Sequence, residues 1–192
     1  TELEAIEGVV NMASVTSYAP ALSTYIGGIS GWTSLQGNTV NCANFGAVSV
    51  FGKGSSSNAN SSSEIHVGGL FGYVYGWPWA SGTGIQNSLN YGSLTCRVPR
   101  EWSDVFLGGI AGSANELHIN NCVNMGSSID TTPSDYVGSI VGMPNLVTLT
   151  HCYWEKGLGH GLHGACRSTE FRDCSSFSST FELDEAVSAG DY

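Results

Sequence analysis

Short apolar runs alternate with glycine along most of this chain, and the alternation repeats. One half of the repeat reads YIGGISG, HVGGLFG, FLGGIAG and YVGSIVG, starting at Tyr25, His66, Phe106 and Tyr136. The copies begin about 30–40 residues apart, a period at which one supersecondary unit stacks on copies of itself. The pattern therefore predicts a solenoid.

The other half of the repeat combines asparagine with short aliphatic runs. It reads NCANFGAVS from Asn41, NSLNYGSLT from Asn87 and NCVNMGSSI from Asn121, with a worn copy, VVNMASVT, from Val9. HCYW from His151 opens a fifth copy of this half. Brief β-branched and aliphatic runs between glycines and asparagines indicate strands with sharp corners rather than helices.

Two apolar columns flank the central Gly-Gly pair at a spacing of three residues. The columns hold Ile26, Val67, Leu107 and Val137, and then Ile29, Leu70, Ile110 and Ile140. Strict alternation would place them on opposite faces of a strand. We therefore expect the glycines to bend the strand and to return the second column to the interior.

Asparagine recurs at one position of the second half-repeat. The column holds Asn11, Asn44, Asn90 and Asn124. If coils stack about 4.8 Å apart, these amides can form a hydrogen-bonded ladder. The alternative is that they occupy left-handed turn positions. The next column, expected to fill the interior, holds Met12, Phe45, Tyr91 and Met125.

These patterns predict an all-β fold, a right-handed parallel β-helix (β-solenoid) of about four to five coils. The repeats occupy residues 1–154, with an incomplete first coil. After Trp154 the repeat pattern stops, and residues 155–192 are predicted to form an irregular, disulfide-bearing C-terminal cap, because a solenoid end needs its final strand covered.

The succession GG[IL]xG and NCxNxGxV resembles the GLUG-type repeat of bacterial and protist surface proteins. The resemblance covers about Val9 to Trp154. It implies a parallel β-solenoid that serves as a module of a large, adhesin-like protein, and hence an extracellular or cell-surface location. The tail beginning CYW is similar to segments that follow such repeats in surface proteins of anaerobic protists.

Composition agrees with a stack of turns and strands. Asp, Glu, Lys and Arg make up 11% of the chain, against a usual quarter, while 26 residues are glycine. The formal net charge of −10 argues against binding nucleic acid or an anionic membrane by charge. No apolar run approaches the length that spans a bilayer, so membrane insertion is not expected.

The six cysteines suggest an oxidising compartment. Cys122 and Cys152 share a repeat column with Cys42, so they are either small core residues or neighbours within disulfide range. Cys166 and Cys174, eight residues apart in the tail, are the favoured pair; the partner of Cys96 and the remaining pairing stay open.

Two further sites lie outside the repeat pattern. Asn60, in an Asn-Ser-Ser sequon, would be either a glycosylation site or part of a bare polar loop. His160 and His163 with Cys166 have a spacing that zinc accepts, but the glycine-rich surroundings favour a disulfide-tied loop, so no metal and no cofactor are expected.

The chain is not expected to be an enzyme. The acids that could serve a polysaccharide lyase or glycoside hydrolase are Glu101, Asp104, Asp130 and Asp135. All four are predicted to lie in loops between coils, and their columns are not repeated. Acids in loops are usually solvated, whereas a glycosidase needs two carboxylates placed on either side of the bond it cleaves. No serine or cysteine motif pairs with His66, His118 or His151 as a nucleophile.

An aromatic loop is the best candidate for a binding surface. It contains Tyr73, Tyr75, Trp77 and Trp79. These rings would either contact glycans or a protein partner, or fold over the flank of the solenoid. We therefore predict an extracellular structural or adhesive module, with a carbohydrate-binding or carbohydrate-active β-helix as the alternative.

The start of the chain inside a repeat, at about Val9, predicts how the module assembles. It leaves a nearly bare coil face at the N-terminal end. The expected partner is the protein itself, either as further repeats of the same chain or as a second copy stacked head-to-tail. The second arrangement does not close and would build a surface fibre or stalk.

Overall fold

The protein consists of short parallel strands stacked in five sheets. A computed structural model describes residues 2–3, 5–18, 23–52, 63–77, 83–98, 103–126, 129–131, 136–155, 169–172 and 175–177. Within these ranges no residue is helical. This confirms the all-β prediction.

The sheets are named A to E in the order in which the chain meets them. Sheet A contains β1 (Glu2–Leu3), β6 (Ser30–Leu35), β11 (Phe71–Gly76), β16 (Ala111–Asn115) and β21 (Val141–Asn145). Sheet B contains β2 (Ile6–Glu7), β7 (Asn38–Val40), β12 (Gly84–Gln86), β17 (His118–Asn120), β22 (Val147–Thr150) and β24 (Thr169–Arg172). Sheet C contains β3 (Val10–Asn11), β8 (Ala43–Asn44), β13 (Leu89–Asn90), β18 (Val123–Asn124), β23 (Tyr153–Glu155) and β25 (Ser175–Phe177). Sheet D contains β4 (Val15–Ser17), β9 (Val48–Phe51), β14 (Leu94–Arg97) and β19 (Ile129–Thr131). Sheet E contains β5 (Ser23–Gly27), β10 (Ser63–Gly68), β15 (Ser103–Gly108) and β20 (Tyr136–Gly138).

Every strand pairing is parallel, and the chain visits the sheets in a fixed cycle. The strands β5 to β9 pass through E, A, B, C and D, and β10 to β14 and β15 to β19 repeat that order. Equivalent residues of successive passes, which we call coils, are paired in register, as Gly27, Gly68, Gly108 and Gly138 are in sheet E. A cyclic order of parallel strands is compatible with a β-solenoid.

The Gly-Gly bend directs both flanking apolar columns to the interior, as predicted. Val67 and Leu107 are fully buried before the bend, and Leu70 and Ile110 are fully buried after it. The two columns belong to different hydrophobic clusters. The column before the bend packs with residues of sheets D and E, and the column after the bend packs with residues of sheets A, B and C. The bend therefore divides the interior of each coil into two lobes.

The column that follows the asparagines points outward, so the prediction that it fills the interior is wrong. Met12 is 72% exposed, and Phe45 and Tyr91 are also exposed. Successive side chains of a strand point to opposite faces. Because the asparagine column faces inward, the next residue must face solvent. The rings of Phe45 and Tyr91 contact each other there, with centroids 6.0 Å apart.

The left-handed turn positions belong to a different set of asparagines. Asn41, Asn87 and Asn121 have φ between about 49° and 58°, and His151 in the last copy has φ 48°. Asparagine tolerates this conformation better than most residues. This column turns the chain from sheet B into sheet C. The alternative interpretation of the inner asparagines as left-handed turn residues is therefore not supported.

Cys122 and Cys152 are in neighbouring coils but no disulfide joins them, which corrects that candidate bridge. Their thiols point toward main-chain carbonyls instead of toward each other. Cys122 Sγ lies 3.4 Å from Asn120 O, and Cys152 Sγ lies 3.4 Å from Thr150 O. Both residues are fully buried in the core. The alternative, that they are small core residues, describes this structure.

Strand stacking continues beyond the predicted end of the repeats. β24 pairs with β22 in sheet B, and β25 pairs with β23 in sheet C, both in parallel. Cys166 and Cys174, the favoured disulfide pair, lie outside the described residues. The boundary between repeats and cap at residue 154 remains a prediction.

Candidate functional site

The inner asparagines form a continuous hydrogen-bonded ladder through the stack. Asn11 Nδ2 donates to Asn44 Oδ1 at 2.8 Å, and Asn44 Nδ2 donates to Asn90 Oδ1 at 2.9 Å. Asn90 Nδ2 donates to Asn124 Oδ1, also at 2.9 Å. The ladder ends where Trp154 pairs with Asn124 in the next coil, and Asn124 Nδ2 donates instead to Ser139 O.

Each ladder amide also fixes the turn that follows it. Asn90 Nδ2 donates to Gly92 O at 2.9 Å, and the Gly92 N–H donates to Asn90 Oδ1 at 3.2 Å. Asn44 makes the corresponding bond to Gly46 O. A buried carboxamide that meets both backbone partners and its neighbours in the stack leaves little hydrogen-bonding capacity unused.

The ladder packs against the second glycine of the bend. A Cβ added at Gly28, Gly69 or Gly109 would overlap the side chain of Asn44, Asn90 or Asn124, respectively. The same Cβ would also meet a carbonyl oxygen of the next coil. The second glycine of each bend therefore packs directly against a ladder asparagine. We call this contact, which lies between the two lobes, the waist of the coil.

A second ladder, made of stacked rings, runs along the outer face of sheet E. Its members are Tyr25, His66, Phe106 and Tyr136. Successive ring centroids are 4.8, 4.7 and 4.8 Å apart. Tyr73 of sheet A meets the edges of the first two rings and stacks on Trp32. The outer faces of sheets E and A thus share a small aromatic cluster.

His66, inside this ladder, joins a serine and a glutamate that lie far apart in sequence. Its Nδ1 is 2.7 Å from Ser113 Oγ, and its Nε2 is 3.3 Å from Glu64 Oε2. Burial lowers the pKa of the imidazole, and the Glu64 carboxylate opposes that shift. Glu64 itself is exposed.

Ser113, His66 and Glu64 are the residue types of a catalytic triad, but the serine hydroxyl is not accessible to a substrate. Ser113 is only 1% exposed, so a substrate carbonyl has no route to its hydroxyl in this structure. The arrangement instead gives both nitrogens of a buried imidazole a partner. No sequence motif marks the pair, because His66 and Ser113 belong to different sheets and to successive coils.

The predicted aromatic loop is partly a strand. Tyr73 and Tyr75 lie on β11 and alternate with the buried Val74, so they point outward from sheet A. Trp77 follows the strand and donates its Nε1–H to Ser34 Oγ at 3.0 Å. Trp79 lies outside the described residues. These contacts place the described rings on the flank of the stack.

A concave surface lined by amide, imidazole and hydroxyl side chains, which we call the amide groove, crosses three coils where sheet B turns into sheet C. Its cavity volume is about 560 Å³. It is lined by Gln86, Asn87, His118, Asn120, Asn121, Thr150 and His151. Six of these residues form two columns, one on sheet B and one at the left-handed turn, and His118 lies two residues before Asn120 on β17. The repeats show both columns in the sequence, but not that the surface is concave.

Several predicted site residues cannot be placed. Asn60, Glu101, Asp135, His160 and His163 lie outside the described residues. Among the residues that the structure describes, no group of three or more His, Cys, Asp or Glu side chains is arranged to hold a metal ion. The same part of the chain contains no helix long and apolar enough to cross a membrane.

Comparisons of the chain with protein-family models, curated proteins and solved structures gave no match. The resemblance to the GLUG-type repeat therefore stays a prediction.

Proposed function

We propose that the chain is a structural module of an extracellular surface protein, folded as a closed right-handed β-solenoid. The observation that carries the proposal is the asparagine ladder, which keeps register across four successive coils. Hydrogen bonds from each asparagine to the next hold the coils of a stack in register. A stiff stack suits a stalk or fibre, which separates a binding surface from the cell.

The N-terminal edge of the stack supports self-association. Within the described residues, β1 to β5 are the outermost strands of their sheets at that end, so their outer backbone groups are open to pairing. The ladder is also open there, because among these residues Asn11 Oδ1 accepts only from the N–H of Ala13. An added coil, from the same chain or from a second copy, would continue the sheets.

Assembly can be tested with the isolated 192-residue chain. Sedimentation over a range of concentrations and electron microscopy should reveal end-to-end oligomers, whose diffraction shows a repeat of about 4.8 Å. Val10→Lys places a charge on the exposed edge strand β3 and should block growth. Tyr91→Lys places the same charge on an exposed flank and should not. A monomer at every concentration would refute the fibre.

The proposed cap has its own test. A peptide map without reducing agent should recover Cys166 linked to Cys174. Two unmodified thiols in oxidised material would remove the bridge from the proposal.

The alternative function, carbohydrate binding through residues 73–79, rests on the exposed ring of Trp77. Binding on a glycan array that is abolished by Trp77→Ala and Trp79→Ala would favour it over a purely structural role. Proteins with either substitution should still assemble if the stack alone builds the fibre.

A further inference from the structure

The amide groove has hydrogen-bonding capacity that the protein itself leaves unused. Asn121 Nδ2 donates to Asn87 Oδ1 at 2.8 Å, and Asn87 Nδ2 and Asn121 Oδ1 take no part in that bond. Among the described residues, no protein group hydrogen-bonds to these two atoms or to the side-chain amide of Gln86. Such amides each offer both donors and an acceptor.

The groove repeats the same chemistry from coil to coil. Gln86, Asn120 and Thr150 pair in register along sheet B, so their side chains follow one another at about 4.8 Å. Asn87, Asn121 and His151 form the parallel column at the turn. A ligand whose own polar groups repeat along its length would meet equivalent partners in each of the three coils.

The lining also restricts the charge of such a ligand. It contains no Asp, Glu, Lys or Arg. A phosphate or carboxylate ligand would find no Lys or Arg to pair with, and a basic peptide would find no carboxylate. Amides, imidazoles and a hydroxyl instead match neutral hydroxyl groups, which donate and accept in the same way. The volume lies in the range of known ligand sites.

We infer that the amide groove binds a neutral oligosaccharide lengthwise, across three coils. Gln86 and Asn120 contact it from the strand column, and Asn87 and Asn121 contact it from the turn column. His118, exposed on β17 beside Asn120, borders the same surface. The binding site lies on the flank of the stack, so it stays accessible when coils are added at the N-terminal edge. The inference does not depend on fibre formation.

The test uses three neutral hexasaccharides, cellohexaose, mannohexaose and chitohexaose, with hexagalacturonate as the acidic comparison. Each is titrated into the isotopically labelled full chain and followed by amide chemical shifts. We expect at least one neutral sugar to perturb the segments around residues 86–87, 118–121 and 150–151. Saturation with hexagalacturonate alone, or shifts confined to the aromatic cluster, would overturn the inference. The absence of shifts with every sugar would also overturn it.

Paired variants identify the groups responsible. Gln86→Ala with Asn120→Ala removes two side chains from strand positions and changes no residue of the left-handed turns. The Asn120 change also removes the 3.4 Å contact between Asn120 Oδ1 and His151 Nδ1. This double variant should weaken binding by about tenfold or more, since two hydrogen bonds are lost. The matched control is Asn115→Ala with Asn145→Ala, an exposed amide pair on sheet A with a 2.6 Å hydrogen bond. Equal loss in both double variants would overturn the assignment.

Thermal melting and sedimentation separate this inference from the proposed structural role. The groove variant should melt and assemble like the parent chain while it loses the sugar. If assembly fails but the sugar still binds at the groove, the structural proposal is wrong and the binding site stands.

Discussion

Replacing Asn90 with alanine is the sharpest test of how the coils are held together. Asn90 is fully buried, and its side chain takes part in four hydrogen bonds. The partners are Asn44 Nδ2, Asn124 Oδ1, and the carbonyl and N–H of Gly92. Alanine removes all four bonds and leaves a space inside the packed interior.

The loss in the free energy of unfolding depends on which partners of Asn90 still have another hydrogen bond in the variant. Four hydrogen bonds at a net ~1 kcal/mol each set an upper figure of about 4 kcal/mol. Asn44 Nδ2 still donates to Gly46 O, and Asn124 Oδ1 still accepts from the Gly126 N–H. We therefore expect Asn90→Ala to lower the free energy of unfolding by about 2–3 kcal/mol. For a chain of this size the melting temperature falls by about 5–10 °C.

Urea denaturation followed by far-UV circular dichroism measures the loss, with two matched controls. Asn11→Ala, at the half-buried end of the same ladder, should cost only about 1 kcal/mol because solvent replaces its partners. Asn115→Ala removes a half-buried amide whose hydrogen bond to Asn145 lies at the surface, and it should stay within about 0.5 kcal/mol of the parent chain. If Asn90→Ala unfolds with the parent chain, or costs no more than Asn11→Ala, the ladder does not stabilise the stack.

Three further predictions concern the waist, the buried imidazole and the thiols. Gly109→Ala should prevent folding or lower the free energy of unfolding by more than about 4 kcal/mol, because the added Cβ overlaps Asn124 Nδ2 and a carbonyl oxygen. A soluble variant with the melting curve of the parent chain would contradict this. Burial lowers the pKa of His66 in the folded state, so stability should fall as pH drops below about 6.5, when the unfolded chain takes up the proton first. His66→Phe, measured by urea titration at several pH values, should flatten that slope. Cys122 and Cys152 should react with a thiol reagent only after unfolding, and a cross-linked peptide containing both would refute the assignment.

The repeats made most of the fold predictable. In-register columns of glycine, asparagine and aliphatic residues can be aligned by eye, and parallel stacking keeps equivalent residues adjacent. This is why the buried columns on either side of the Gly-Gly bend were predicted correctly. The outward direction of Met12, Phe45 and Tyr91 was missed. The bulk of these side chains suggests burial, but alternation after an inward asparagine requires them to face solvent.

Contacts between sheets were less accessible to sequence reasoning. The ring ladder has a signal, since the residue two positions before the first glycine is Tyr25, His66, Phe106 or Tyr136 in the four copies. The hydrogen bond between His66 and Ser113 has no signal in the sequence, because it joins the outer faces of sheets E and A across successive coils. Periodicity aligns equivalent positions, but it does not show which of two adjacent sheets turns toward the other.

The division of each coil into two lobes explains how the stack tolerates repeats of unequal length. Length differences fall in two connections. Between sheets D and E, β9 ends at Phe51 and β10 begins at Ser63, whereas β19 and β20 are separated by only Thr131 to Tyr136. Between sheets A and B, β11 ends at Gly76 and β12 begins at Gly84, whereas β6 and β7 are separated by only Leu35 to Asn38. Sheet E nevertheless keeps its register through all these coils. The Gly-Gly bend and the asparagine hold each coil together between its two lobes. The connection between sheets D and E, like the one between sheets A and B, lies outside the short segment from the asparagine to its turn glycine, whose spacing is kept. A residue inserted between a ladder asparagine and its turn glycine would break that spacing. A residue added to either connection would change only the surface that the flank presents.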